Sequence, residues 1–301
     1  MRIAVAATPD VALPSLEALL HSSHEIISII TQPDKPAGRG LDLTASPVAR
    51  WAQKQGIPLV KPISVSEISQ ALVNVEVLVT IGYGKILPQQ ILDIPTRCSL
   101  NLHFSLLPRW RGAAPVQRAI EAGDLVTGVT VFELDQGMDT GPIYTVKKFA
   151  LDSNISSDDL FSELSLIGPE ALLESLELIE KGIKPTAQNN SESTRAMKLT
   201  SEQGRIDWTF PAERVSAHIR AFTSNPGAWT EFRGQKLRVE SPSISSHVLA
   251  PGELKVIEKD LYVGTKSLAI HLGFITSPGK TRMESKSWLN GARILEGESF
   301  G

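Results

Sequence analysis

Asn101 and His103 stand two residues apart at the end of an apolar run, Cys-Ser-Leu-Asn-Leu-His-Phe (98–104), that reads as a β-strand. Side chains alternate faces along a strand, so an amide and an imidazole point to the same side. A third polar residue, Asp139, lies 38 positions beyond Asn101 in the turn-rich stretch Asp-Gln-Gly-Met-Asp-Thr-Gly-Pro (135–142). If the strands flanking that turn share a sheet with the first, a loop between them brings a carboxylate to the imidazole. The three groups then have complementary chemistry. An amide N–H polarises an acyl oxygen, an imidazole donates a proton or stabilises an oxyanion, and a carboxylate orients the ring. No Gly-x-Ser-x-Gly elbow accompanies them, so acyl transfer through a covalent enzyme intermediate has no support. Taken singly, the same residues also fit blander places: a polar edge strand for Asn101 and His103, an Asx turn for Asp139.

The elements that would position these groups follow from the patterning. Val- and Ile-rich runs at 3–7, 25–31 and 75–82 alternate with helical spacing at 13–20 and 46–56, which predicts βαβ units and a mainly parallel sheet. Runs at 128–134 and 143–151 predict two further strands, and their short connection makes them antiparallel. Residues 155–182 carry the apolar period of a long helix, capped by Ser and Asp and ended by Gly182. Residues 183–203 are polar and aperiodic and read as a linker. Beyond it, a helical pattern at 210–223 and several short alternating strands predict a small β-barrel over 204–301.

Composition narrows the function classes. At 301 residues, 42% hydrophobic and 21% charged, the chain is long enough for two domains with real cores. The single cysteine, Cys98, excludes an internal disulfide framework and a cysteine-based zinc site, in keeping with a reducing cytoplasm. The first residues lack a basic segment followed by a long apolar one, and no run approaches the ~20 apolar residues of a membrane span. No phosphate loop or His-Glu-x-x-His motif is present, which disfavours an ATP or zinc enzyme. Residues 1–203 hold 17 Lys and Arg against 23 Asp and Glu, a net of −6, whereas 204–301 hold 13 against 10, a net of +3. A modest basic surplus is usually a solvated surface, and it is also how a polyanion-binding module looks in sequence. The loop at 31–47 is interrupted by Pro33, Pro36, Gly38, Gly40 and Pro47 and carries Lys35 and Arg39. It is either a surface turn or a clamp for a phosphate or a nucleic-acid groove.

The run SLLPRWRGAAPVQRAI (105–120) after Asn-x-His, with GMDTG (137–141) downstream, resembles the signature of the folate-dependent formyltransferases. The likeness extends over nearly the whole chain, through Thr8-Pro9, the 31–47 loop, IGYGKILP (81–88), KLTSEQGRIDW (198–208) and IRAFTSNPGAWT (219–230). It implies a Rossmann-like catalytic domain over 1–182, a linker over 183–203 and an OB-like tRNA-binding barrel over 204–301. It implies formyl transfer from 10-formyltetrahydrofolate to the α-amino group of methionine on initiator tRNA, with glycinamide ribonucleotide and sugar nucleotides as the alternative acceptors. Asn101, His103 and Asp139 match the family's catalytic trio, Ser105, Leu106, Leu107 and Pro108 its folate-lining segment, and Lys35 and Arg39 its tRNA-contacting loop. No metal is implied, and a cytoplasmic monomer is expected. The chain departs from the family pattern at Ala7, where Gly is common, at Trp110, where Tyr is common, and at Leu41-Asp42-Leu43, where the loop is usually more basic.

Overall fold

The structure, a computed structural model, describes residues 1–37 and 42–301. Seven strands, β1 (Arg2–Ala7), β2 (Glu25–Ile30), β3 (Leu59–Val60), β4 (Val77–Ile81), β5 (Cys98–His103), β6 (Val126–Glu133) and β7 (Ile143–Ala150), form one sheet in the order β7-β6-β5-β4-β1-β2-β3. The first five run parallel, as the apolar runs of β1, β2 and β4 predict, while β6 pairs antiparallel with both β5 and β7. Every residue from Ile3 to Ala7 and from Val77 to Ile81 is buried, as strands covered on both faces require.

Helix signals are local. Ser46 accepts a hydrogen bond from the Ala49 N–H at 3.0 Å, Pro47 opens the helix Pro47–Gln55, and Gly56 ends it in a left-handed conformation. Ile68, Leu72 and Val75 from the helix Val65–Ala71 and the turn after it pack with Ile30, Leu78 and Ile91 into a core on one side of the sheet. The long helix Ser157–Glu180 brings Gly168 so close to β5 that a Cβ there would sit 2.9 Å from Leu102 Cδ2. Glycine thus lets this helix lie against the strand that carries Asn101 and His103.

The chain divides into two compact units: one of residues 1–112, 126–150 and 161–195, the other of 113–125, 151–160 and 196–301. The second unit is built on an antiparallel sheet of β8 (Trp229–Phe232), β9 (Gln235–Ile244), β10 (Leu254–Ile257), β11 (Asp260–Val263), β12 (Ile270–Thr276) and β13 (Met283–Glu284). Their order is β8-β9-β12-β11-β10, with β13 on β12. Residues 298–301 close this curled sheet. The Gly301 N–H donates to the Glu231 carbonyl on β8 at 3.1 Å, the Leu254 N–H of β10 donates to the Glu298 carbonyl at 3.0 Å, and the Phe300 N–H donates to that of Gly252 at 2.9 Å. Each edge of the sheet thereby gains backbone partners from the last residues, which reduces the exposed ladder groups that invite association. Trp208, Phe232, Trp288 and Phe300 fill the interior with tilted and edge-to-face ring contacts. Among the described residues no helix is long and apolar enough to cross a membrane.

Candidate active site

Asn101 and His103 leave the carboxyl end of β5, the side of an open parallel sheet where ligands bind. Thr80, paired with Asn101 across β4 and β5, fixes the amide: its hydroxyl donates to Asn101 Oδ1 at 2.7 Å and shares that proton with the Leu100 carbonyl at 3.0 Å. With Oδ1 occupied, the amide N–H groups are the part of Asn101 offered to an incoming oxygen. His103 is buried, its ring edge-on to Phe132. Its Nε2 lies 2.9 Å from the Trp110 carbonyl, and because a carbonyl only accepts, Nε2 carries the proton. The other ring nitrogen, Nδ1, faces Asp139 Oδ2 at 3.8 Å. That distance exceeds a hydrogen bond.

Asp139 is itself held. Its Oδ2 accepts from the Gly112 N–H at 2.7 Å, and its backbone is left-handed, with φ +55°. Earlier in the same turn, the Asp135 carboxylate accepts from the Gly137 N–H at 3.0 Å and the Thr140 hydroxyl at 2.7 Å. A Cβ on Gly141 would strike the Glu133 carbonyl, so the turn lies flush against the end of β6.

Ser105, Leu106, Leu107 and Pro108 form the loop that follows β5. The Ser105 hydroxyl, fully buried, donates to the Arg109 carbonyl at 2.7 Å, and Leu107 is buried with its N–H donating to Thr130 Oγ1 at 3.1 Å. Thr130 in turn donates to the Ser105 carbonyl at 2.7 Å, so β6 fixes the loop. Leu106 and Pro108 are half-buried and are the side chains of the four that retain accessible surface. Lys35 is exposed on a two-stranded ribbon of Lys35–Ala37 and Asp42–Thr44, whereas Arg39 lies outside the described residues.

Gln188 gave no recognisable sequence signal, whereas Arg111 stands inside the run that resembles the family signature. Arg111 does not end in solvent: its Nε and a terminal nitrogen donate to Gln188 Oε1 at 3.1 and 2.6 Å, and that terminal nitrogen also reaches Asn190 Oδ1 at 2.8 Å. Gln188 Nε2 then donates to the carbonyls of Asp139 at 3.0 Å and Gly141 at 2.7 Å. The polar stretch after the long helix thus supports the turn that carries Asp139. Cys98, at the far end of β5, is buried in apolar surroundings that push its thiol up to about 12, which leaves it no nucleophilic part. Among the described residues no three His, Cys, Asp or Glu side chains are grouped to hold a metal.

The family model described as formyl transferase matches residues 1–176, and that of the formyl transferase C-terminal domain matches 198–293. A methionyl-tRNA formyltransferase of Streptomyces coelicolor is 41% identical over 309 residues, covering 100% of each chain. One of Thermobifida fusca is 42% identical, covering 100% of this chain and 99% of its own. Among solved structures, HypX from Aquifex aeolicus in complex with tetrahydrofolic acid superposes with a TM-score of 0.69 at 18% identity, over 99% of this chain and 48% of that one. Methionyl-tRNA formyltransferase from Clostridium thermocellum superposes with a TM-score of 0.59 at 19% identity, over 81% of this chain and 94% of that one. With both family models matched, and with an amide, an imidazole and a carboxylate gathered at the end of a parallel sheet, the chain belongs to the formyl transferase family.

Proposed function

We propose that this protein transfers the formyl group of 10-formyltetrahydrofolate to the α-amino group of methionine carried by initiator tRNA. The observation that carries the reading is 41% identity, end to end, with a methionyl-tRNA formyltransferase. The site supports a direct mechanism. The neutral amine attacks the formyl carbon and the carbonyl oxygen becomes an oxyanion. The Asn101 amide, oriented by Thr80, stabilises that charge, and the amine proton passes to the pair formed by His103 Nδ1 and the Asp139 carboxylate, so that the ring shares in stabilising the oxyanion. Collapse of the tetrahedral intermediate breaks the bond between the formyl carbon and the folate nitrogen, and the proton taken from the amine passes to that nitrogen. Leu106 and Pro108 supply the apolar surface on which the folate ring system would rest. Lys35 and the loop bearing Arg39 meet the tRNA.

The test is an acceptor comparison with purified protein and 10-formyltetrahydrofolate, using methionyl initiator tRNA, glycinamide ribonucleotide and an amino-sugar nucleotide in parallel. Formylation of the tRNA alone is expected; formylation of either other acceptor instead overturns the reading. His103→Ala is expected to lower kcat on the order of 10²–10⁴-fold, the range of positioned acid–base and oxyanion groups. Near-normal turnover in that variant would remove His103 from the chemistry.

A further inference from the structure

Gln188 sits in the polar stretch after the long helix, 49 positions from Asp139, and all four hydrogen bonds of its amide are directed at the site. Its oxygen accepts twice from the Arg111 guanidinium, at 3.1 and 2.6 Å. A guanidinium only donates, so this pairing settles which end of the amide is the nitrogen. Both N–H groups are then aimed at the carbonyls of Asp139 and Gly141, at 3.0 and 2.7 Å. The first of those carbonyls belongs to Asp139 itself, whose backbone is left-handed, a conformation that costs energy in a residue other than glycine. Gly112, next to Arg111 in sequence, clamps the Asp139 carboxylate from the other side at 2.7 Å. Backbone and side chain of Asp139 are therefore both tied to the Arg111–Gly112 segment, the backbone through Gln188.

We infer that Gln188 is a positioning residue of the formyl transfer: its amide transmits the hold of Arg111 to the turn that presents Asp139 to His103. It touches neither reacting atom and acts only through where the Asp139 carboxylate stands. The inference rests on the acyl-transfer reading above, and its test separates the two.

The discriminating variant is Gln188→Glu. A carboxylate keeps the pairing with Arg111 and has no proton for the two carbonyls, so the brace on Arg111 survives and the hold on the turn is lost. Gln188→Leu removes both and serves as the second variant. Each is made in the full chain alone and combined with Asp139→Asn, and transfer of a radiolabelled formyl group to methionyl-tRNA is followed, sensitive enough for weak activity. Gln188→Glu is expected to lower kcat on the order of 10-fold, since a displacement of about 1 Å can cost up to 10²-fold, while KM for both substrates stays within about twofold. In the Asp139→Asn background the same substitution is expected to cost less than about twofold, because its target is already gone. An unchanged kcat in both single variants overturns the inference, and so does an equal loss with and without the Asp139 carboxylate. If the wild-type chain fails to formylate tRNA, the acyl-transfer reading falls first; if it succeeds and Gln188 is indifferent, only the positioning role falls.

Discussion

Thr80 decides which way Asn101 faces. An amide whose oxygen and nitrogen could exchange places by a half-turn would present an acceptor to the formyl oxygen half the time, and an acceptor there repels the developing charge. The Thr80 hydroxyl, donating to Asn101 Oδ1 at 2.7 Å, holds the amide with its oxygen engaged and its N–H groups available. Thr80→Val keeps the shape and the buried position but deletes the donor, so kcat is expected to fall on the order of 10-fold with KM nearly unchanged, below the 10²–10³-fold cost of losing an oxyanion donor outright. Steady-state kinetics beside a thermal melt checks it. An unaltered kcat in a folded variant would show that the Asn101 amide finds its orientation without help. Of this site, the three residues that the fold gathers, Asn101, His103 and Asp139, were legible as candidates in the sequence, because Asn-x-His on a strand and an Asp among glycines are local patterns. Thr80, the Trp110 carbonyl and Gln188 were not, because each acts through a hydrogen bond that only the folded chain creates.

At the scale of elements, the alternation of apolar runs and helical spacing was enough to read the parallel sheet and the antiparallel pair after it. The helix Pro115–Glu121 was hidden inside the run that resembles the family signature, and it belongs to the same compact unit as the barrel. No period announces such a transfer of a segment between units. Its last residue, Glu121, shows what holds it: His218 on the helix Ala212–Ala221 lies 3.3 Å away, and Arg118 donates to the same carboxylate at 2.5 Å. These hydrogen bonds, His218 first, hold the Glu121 carboxyl below the usual carboxylate range. A depressed folded pKa means the unfolded chain takes up the proton first, so the stabilisation is fully present above the unfolded value and is lost as pH falls through the lower, folded one. Glu121→Gln is expected to cost about 1–2 kcal/mol at neutral pH, the worth of hydrogen bonds to a charged group, and nothing once the wild-type carboxyl is protonated. Denaturant unfolding at pH 7 and near pH 3 measures both. A cost that does not shrink in acid would mean that the packing of the side chain, and not its charge, is what matters.

For the whole molecule, the charge division drawn along the sequence does not survive folding. Residues 204–301 carry a net of +3, but the compact unit that contains them also takes in 113–125, 151–160 and 196–203, bringing two basic and six acidic residues, for a net of −1. The other unit, on the same count, carries −2. Neither unit is basic as a body, so an attraction for tRNA must come from where cations stand, and several of those on the barrel are already committed. Arg233 is paired with Glu298 at 2.7 Å and Arg282 with Glu240 at 2.7 Å. Lys236 instead lies 3.9 Å from the centre of the Trp229 ring, opposite Glu231 across β8 and β9, with Arg238 next along the strand opposite Trp229. An aromatic ring with cations around it suits a nucleic-acid backbone and its bases. Counterion release makes the logarithm of the affinity for methionyl-tRNA fall linearly with the logarithm of salt concentration, with a slope that counts the phosphates met. Lys236→Ala is expected to make that slope shallower by about one and to weaken binding alike for initiator and elongator tRNA, because a phosphate contact carries no sequence information. Titration of the wild type and the variant at several salt concentrations reads both. A slope near zero in the wild type would count against tRNA as the partner; an undiminished slope in the variant would move the contact away from Trp229 to the remaining cations of the barrel.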